Sequence, residues 1–364
     1  MTQQTVATFF RSAVDAVPNY KPGKQPSTIP GLEPYKLSSN EHYLTPLSAV
    51  TEAMAQPVNP AGYPDPAATV LVSELSQYLQ VPADHVLVGA GASELLSALA
   101  HVTLETGDEV IYPWPSFELY PQATALNAAI QRPIGLTETF EHDLPAMAAA
   151  ITDRTRLVLL CSPNNPTGPT ISAEAFDAFM AQVPSDVLVA LDEAYWEFAT
   201  DPVAVKGLEA LAKYDNLVLI RTFSKAHGLA GLRVGYAVAQ PAIIAGLSKA
   251  LIPFGVTHPS QQAARASLAN IDQVMQRAQT IATARDAFAD ALRAQGWDVP
   301  QAQANFVWLP LGDLSTAFED ACVAQSLAVR NLGSGVRISI GPAEAMQRVL
   351  GVAGAFRQRH YPQN

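Results

Sequence analysis

Cysteine is almost absent from this sequence: Cys161 and Cys322 are the only two in 364 residues. Two thiols so far apart in the chain make neither a disulfide framework nor a metal-binding spacing, and they fit a reducing compartment. Positive charge is also scarce. Lys and Arg number 22 against 33 Asp and Glu, the net charge is −11, and no basic run appears. Nucleic acid and anionic membrane surfaces are therefore excluded as expected partners. No apolar run reaches the length of a membrane span, and the N-terminal MTQQTVATFFRSAVDAVPNY, with its lone Arg11, lacks the apolar core of a signal peptide. A cytoplasmic protein is expected. What the chain does have is apolar material, 49% hydrophobic residues against 15% charged. That is enough to bury a sizeable core, with length for a large domain and a smaller companion.

The first 45 residues are rich in Pro, Ser and Asn and read as an extended arm. From Pro46 to about residue 255 candidate helices such as 68–80 and 172–183 alternate with short apolar runs. The runs are HVLVG (85–89), DEVIYP (108–113), RLVLLCSP (156–163), DVLVALDEA (186–194), NLVLIRTFSK (216–225) and RVGYAVA (233–239). Several are nearly continuous in Val, Leu and Ile, the pattern of strands covered on both faces. Strand–helix alternation predicts a mostly parallel α/β sheet. Residues 256–364 begin with a long Ala- and Gln-rich helical stretch, followed by NFVWLP (305–310), LAVRN (327–331) and GVRISIG (335–341). They read as a second, smaller α+β domain.

In an open parallel sheet, ligands sit beyond the carboxyl ends of the strands. After HVLVG comes AGASELL, small residues entering a helix. A phosphate can approach the free N–H groups of such a helix start, although glycines there are also ordinary turn chemistry. After RLVLLCSP comes NNPTG, which reads equally as a turn before a helix capped by Ser172. Asp192 ends an apolar run and needs a cationic partner if buried. Lys225 follows another run, where a lysine is normally a surface group. Together these residues converge on one chemical object. The 91–93 turn, Thr222, Ser224 and Arg233 suit an anionic group; Asp192 suits a protonated ring nitrogen. Asn165 and Tyr195 suit a phenolate-like oxygen, and Lys225 supplies an amine for an aldehyde. That object is pyridoxal 5′-phosphate, an electron sink held through a lysine Schiff base.

SPNNPTG, LDEAYWEF, RTFSKAHGLAGLRVGY and GVRISIG, in this order, resemble the aspartate-aminotransferase-like (fold type I) enzymes. Within them the chain is similar to the histidinol-phosphate aminotransferase family. FELYP (117–121), ALIPF (250–254) and AQANFVWLPLG (302–312) further resemble its actinobacterial aromatic, or phenylalanine, aminotransferase branch. The resemblance implies a large domain with a mostly parallel seven-stranded sheet, a small domain, and a homodimer with sites at the interface. It implies Lys225 as the Schiff-base lysine, Asp192 at the pyridine nitrogen, and Tyr195 and Asn165 at the ring hydroxyl. Ala92, Ser93, Thr222, Ser224 and Arg233 would bind the phosphate, and Phe117 would stack on the cofactor. Tyr63, in YPDP, would cross to the partner's phosphate. Arg337 would grip the substrate carboxylate, a match of guanidinium fork to carboxylate, with Asn40 and Tyr20 also at the substrate. Two departures stand out: His227 replaces the family's tyrosine after SKA, and SSNEHYLTP replaces the family's NENP-like arm segment.

The expected activity is ping-pong transamination of an aromatic amino acid with 2-oxoglutarate. For the substrate side chain, Tyr20, Tyr43, Phe117 and Phe254 are available, each with a core-packing reading as well. Histidinol phosphate is the alternative substrate, and Arg330 and Arg337 are the cations available for its phosphate. A decarboxylase or lyase on the same fold is a further alternative. A transcription regulator is disfavoured by the short segment before the large domain and by the acidic charge.

Overall fold

A computed structural model of the chain describes residues 10–15, 17 and 21–361. In chain order the strands are β1 (Tyr35–Lys36), β2 (Val86–Gly89), β3 (Glu109–Trp114), β4 (Ile130–Gly135), β5 (Thr155–Cys161) and β6 (Leu188–Asp192). They continue with β7 (Leu217–Thr222), β8 (Gly235–Ala239), β9 (Phe306–Leu309), β10 (Leu327–Ala328), β11 (Arg330–Asn331) and β12 (Val336–Ser339). Seven of them form one sheet in the order β2-β8-β7-β6-β5-β3-β4. Strand β8 is antiparallel to both its neighbours, β2 and β7, and the other pairs are parallel. So β8 alone runs against the rest, and the mixed sheet is mostly parallel.

The continuous apolar runs have a simple cause: alternate residues feed two cores. Val158, Leu160, Val189, Leu191, Leu217 and Leu219 face one. Leu157, Leu159, Ala190, Val218 and Ile220 face the other. Each such buried Leu, Val or Ile contributes about 1.5–3 kcal/mol relative to exposure. Helices lie on both sides. Ala92–Thr103 supplies Leu95, Leu96 and Leu99 to the second core, and Ala173–Met180 supplies Phe176 and Phe179 to the first. The cap expected at Ser172 is present, its side chain accepting from the Ala175 N–H at 3.1 Å.

Strand β4 escaped the sequence reading. It is one of the sheet's two outer strands, is largely exposed and carries Pro133, so IQRPIG has neither an apolar run nor clean alternation. The long helical stretch is two helices, His258–Ala269 and Ile271–Ala294, joined at Asn270. LAVRN is not one strand. Its first half, β10, pairs with β1 of the arm, and its second half, β11, joins the antiparallel sheet β11-β12-β9. A C-terminal helix, Ala343–His360, which the sequence reading did not isolate, packs Met346, Val349 and Phe356 inward. Among the described residues no helix is long and apolar enough to cross a membrane.

Candidate active site

The sheet's polarity assembles the site. Strands β2, β5, β6 and β7 all end at one edge, and β8, being reversed, begins there. Register places Gly89 and Thr222 on either side of Gly235. Ala92 and Ser93 just after β2, Ser224 and Lys225 just after β7, and Arg233 just before β8 therefore meet although far apart in sequence. They line a cavity of ≈ 350 Å³ together with Phe117, Asn165, Asp192, Tyr195, Asn40 and Arg337.

At one end of this cavity is a cradle for an anion. The helix Ala92–Thr103 opens at Gly91, which offers its first amides no side-chain cap. Thr222 Oγ1 donates to Ser224 Oγ at 2.9 Å, and Arg233 Nη1 donates to the same Ser224 oxygen at 3.2 Å. Two glycines make room. Gly91 has φ +85°, and a Cβ there would run into the Arg233 guanidinium; a Cβ on Gly235 would lie 2.6 Å from the Ala92 nitrogen. A helix N-terminus, hydroxyls and a guanidinium around one space suit a phosphate.

In the middle sits Asp192, 3% exposed. Its carboxylate accepts from the Tyr120 hydroxyl at 3.0 Å and the Ala194 N–H at 3.1 Å. No cation among the described residues pairs with it, and burial pushes its pKa up to about 6 despite those two donors. A buried carboxylate that lacks a protein cation is the partner a pyridinium nitrogen requires.

Lys225 keeps some solvent contact through the cavity, while protein surrounds it on the other sides. That burial, with the nearby charges of Arg337 and Arg233, pulls its pKa down to about 7. Its Nζ donates to the Ser39 carbonyl at 3.2 Å. An amine near neutrality can attack a carbonyl at physiological pH. Burial raises the Tyr195 hydroxyl well above the ordinary tyrosine range, so it stays protonated, and it accepts from Asn40 Nδ2 at 2.9 Å. Asn165 Oδ1 accepts from Arg337 Nη1 at 2.5 Å, which orients the asparagine amide as a donor. Arg337 also donates to the Ser38 carbonyl at 2.8 Å.

Most residues expected at the site thus converge. The exceptions are informative. Tyr63, expected at a partner's phosphate and not in this chain's own cavity, is 83% exposed and stacks on Phe254, with ring centroids 4.5 Å apart. Of the four aromatics considered for the substrate side chain, Phe117 lines the cavity. Phe254 lies on Tyr63, Tyr43 packs against the main core, and Tyr20 lies outside the described residues. Asn40 lines the cavity but its side chain is committed to Tyr195 and to Ser339, whose Oγ donates to Asn40 Oδ1 at 2.8 Å. His227, the departure after SKA, is buried outside the cavity, with Nδ1 2.8 Å from Ser267 Oγ; burial lowers its pKa to about 3, so it is neutral. Tyr120, which orients Asp192, escaped the sequence reading although FELYP contains it. Only the helix Leu119–Ala125 brings it under β6.

These features fit pyridoxal 5′-phosphate: an amine near neutrality, a buried carboxylate for the ring nitrogen and a phosphate cradle at one end. Comparison with known proteins agrees. The family model for class I and II aminotransferases matches residues 33–352. An aromatic amino acid aminotransferase of Streptomyces coelicolor is 46% identical over 96% of this chain and 98% of its own length. One from Thermobifida fusca is 43% identical over 97% and 98%. Histidinol-phosphate aminotransferase from Sinorhizobium meliloti, solved with pyridoxal 5′-phosphate, shares the fold with TM-score 0.85, at 24% identity over 98% of this chain and 99% of its own. A single mutant of the aspartate aminotransferase of Thermus thermophilus shares it with TM-score 0.79, at 22% identity over 89% and 92%. The chain belongs to the class I and II aminotransferases, and its cofactor is pyridoxal 5′-phosphate.

Proposed function

We propose that the protein is an aromatic amino acid aminotransferase that works by ping-pong exchange, with 2-oxoglutarate as the amino acceptor. The observation that carries the substrate reading is the full-length similarity, at 43–46% identity, to proteins named for that activity. The chemistry rests on Lys225 and Asp192 sharing one buried cavity with an anion cradle.

Bound pyridoxal 5′-phosphate supplies an electron sink that makes the substrate Cα–H acidic. Lys225 Nζ would hold the cofactor, and as a free amine it would take the proton from the substrate Cα as general base. Its lowered pKa suits that task at neutral pH. Asp192 would keep a proton on the ring nitrogen and is itself oriented by Tyr120 and the Ala194 amide. Tyr195 and Asn165 donate to the ring oxygen. Ala92, Ser93, Thr222, Ser224 and Arg233 would hold the phosphate, and Phe117 would lie against the ring. Arg337 binds the substrate α-carboxylate, with Asn40 beside it.

The same proposal includes a homodimer. Tyr63, Phe254 and Ile252 form an exposed apolar ridge, with Ile252 70% exposed, which a second copy would cover while Tyr63 reached the partner's phosphate cradle. The working units are an arm (1–45), a large domain (46–255) and a small domain (256–364). The pairing of β1 with β10 ties the arm to the small domain, and packing of the helix His258–Ala269 on Ser48–Met54 and Thr69–Leu79 ties the small domain to the large one. A cytoplasmic setting accords with two buried free thiols.

Steady-state kinetics with phenylalanine, tyrosine and histidinol phosphate, each paired with 2-oxoglutarate, tests the reading. The specificity constants for phenylalanine and tyrosine should agree within about 200-fold, the span that small differences in an apolar pocket support. Both should exceed that for histidinol phosphate. A higher constant for histidinol phosphate would overturn the substrate assignment and leave the aminotransferase chemistry standing.

A further inference from the structure

Arg330 lines the same cavity as Arg337, and the two are direct partners in the antiparallel register of β11 and β12. Residues directly opposite across such a pair project from the same face with Cβ atoms about 5 Å apart. Two guanidinium groups so placed match the two carboxylates of one dicarboxylate. An aromatic amino acid brings only one. Arg330 is 8% exposed, and a guanidinium buried so deeply without a counter-charge is strongly destabilising.

The chain provides that counter-charge. Arg330 Nη2 reaches both carboxylate oxygens of Glu118, at 2.8 and 2.7 Å. The two partners are held very differently. The Arg330 guanidinium is fixed by two carbonyls of the arm, Lys21 at 2.6 Å and Pro22 at 3.0 Å. The Glu118 side chain is 32% exposed against 9% for that of Arg330, and both residues border a second, wider cavity of ≈ 870 Å³. The carboxylate can turn out toward water while the guanidinium stays.

We propose that Arg330 is the seat for the distal carboxylate of the dicarboxylate acceptor, and that Glu118 occupies this seat whenever an aromatic donor is bound. One carboxylate replaces another, so the charge around Arg330 is the same in both halves of the cycle. A single cavity then accepts an uncharged aromatic side chain and a carboxylate-bearing one in turn. The inference deepens the proposed function and rests on 2-oxoglutarate being the acceptor.

The test uses holoenzyme and two non-reacting acids that share a carboxylate for Arg337 and differ at the far end, glutarate and 3-phenylpropionate. Their dissociation constants are measured by titration calorimetry for the wild type, Glu118→Gln, Arg330→Gln and Arg330→Lys, with melting temperatures to verify folding. Glu118→Gln removes the competitor, so glutarate should bind roughly tenfold more tightly, the scale of one hydrogen bond to a charged group. Binding of 3-phenylpropionate should not tighten. Arg330→Gln should weaken glutarate by at least roughly tenfold and 3-phenylpropionate by much less, with Arg330→Lys intermediate. A purely structural role would move both acids in the same direction. Parallel shifts in Glu118→Gln, or glutarate binding unaffected in both Arg330 variants, would overturn the proposal. Wild-type turnover distinguishes the two failures. If phenylalanine donates but 2-oxoglutarate does not accept, the acceptor reading falls and takes this inference with it; if 2-oxoglutarate accepts and the shifts are parallel, this inference falls alone.

Discussion

Replacing Asp192 by Asn should stabilise the cofactor-free protein while disabling the enzyme. The carboxylate is 3% exposed, and its pKa stands at about 6 against 3.8 unperturbed. A raised carboxylate pKa means that the folded state resists ionisation. Whatever stability the neutral carboxyl provides is complete below pH 3.8 and is lost as pH rises to about 6. The shift is 6 − 3.8, about 2.2 units, and at 1.36 kcal/mol per unit the ionised carboxylate costs the folded state about 3 kcal/mol at pH 7 and above. Roughly half of that has developed at pH 5. Asparagine has the same shape and no charge, and the Tyr120 hydroxyl can turn to accept from its amide. The variant's advantage in cofactor-free protein should therefore be about 3 kcal/mol at pH 8 and roughly half as large at pH 5, read from urea unfolding at the two pH values. Pyridoxal 5′-phosphate should reverse the ranking, because only the carboxylate can pair with a pyridinium, and turnover of the variant should fall by several orders of magnitude. An advantage that does not grow with pH, or a variant less stable than the wild type at pH 8, would refute the reasoning that Asp192 is held under a desolvation penalty for the cofactor's sake.

Covalent capture of pyridoxal 5′-phosphate by cofactor-free protein, followed by absorbance, should speed up roughly tenfold between pH 6 and 8 and then level off, because Lys225 loses its proton near pH 7. An ordinary lysine, with a pKa of about 10.4, would go on accelerating beyond pH 8 and level off only above about pH 10, and Lys225→Ala should capture none. Gly91→Ala places a methyl at φ +85° against the Arg233 guanidinium, so affinity for the cofactor should fall at least tenfold in an absorbance titration, with a stability loss of about 1 kcal/mol or more. Unchanged affinity would remove the Gly91 turn from the phosphate cradle.

The strand-end motifs were legible in the sequence because their signals are local. A buried strand in a parallel sheet must be apolar on both faces, so RLVLLC and NLVLI declare themselves, and a lysine or aspartate at the end of such a run stands out from its surroundings. Asp192, Lys225, Asn165 and the Ala92–Ser93 turn were identified in that way. Strand β4 was not, because an outer strand may be polar and exposed, which leaves no pattern to read. Tyr120 was missed for a different reason: its hydroxyl matters only because a helix places it under Asp192, 72 residues away in the chain.

Tertiary structure alone decided three further matters. It put Phe254 on an outer ridge against Tyr63 and Phe117 in the cavity, a distinction that composition cannot make between two aromatic side chains. It split LAVRN between two sheets, and that division sets Arg330 opposite Arg337. It gave the site residues their working protonation. Burial leaves Lys225 near neutrality and Asp192 reluctant to ionise, and desolvation depends on what surrounds a group in space, not on its neighbours in the chain. The chemistry of each side chain was written in the sequence, and the environment that makes it useful was created only when the reversed strand β8 and the arm closed the cavity around it.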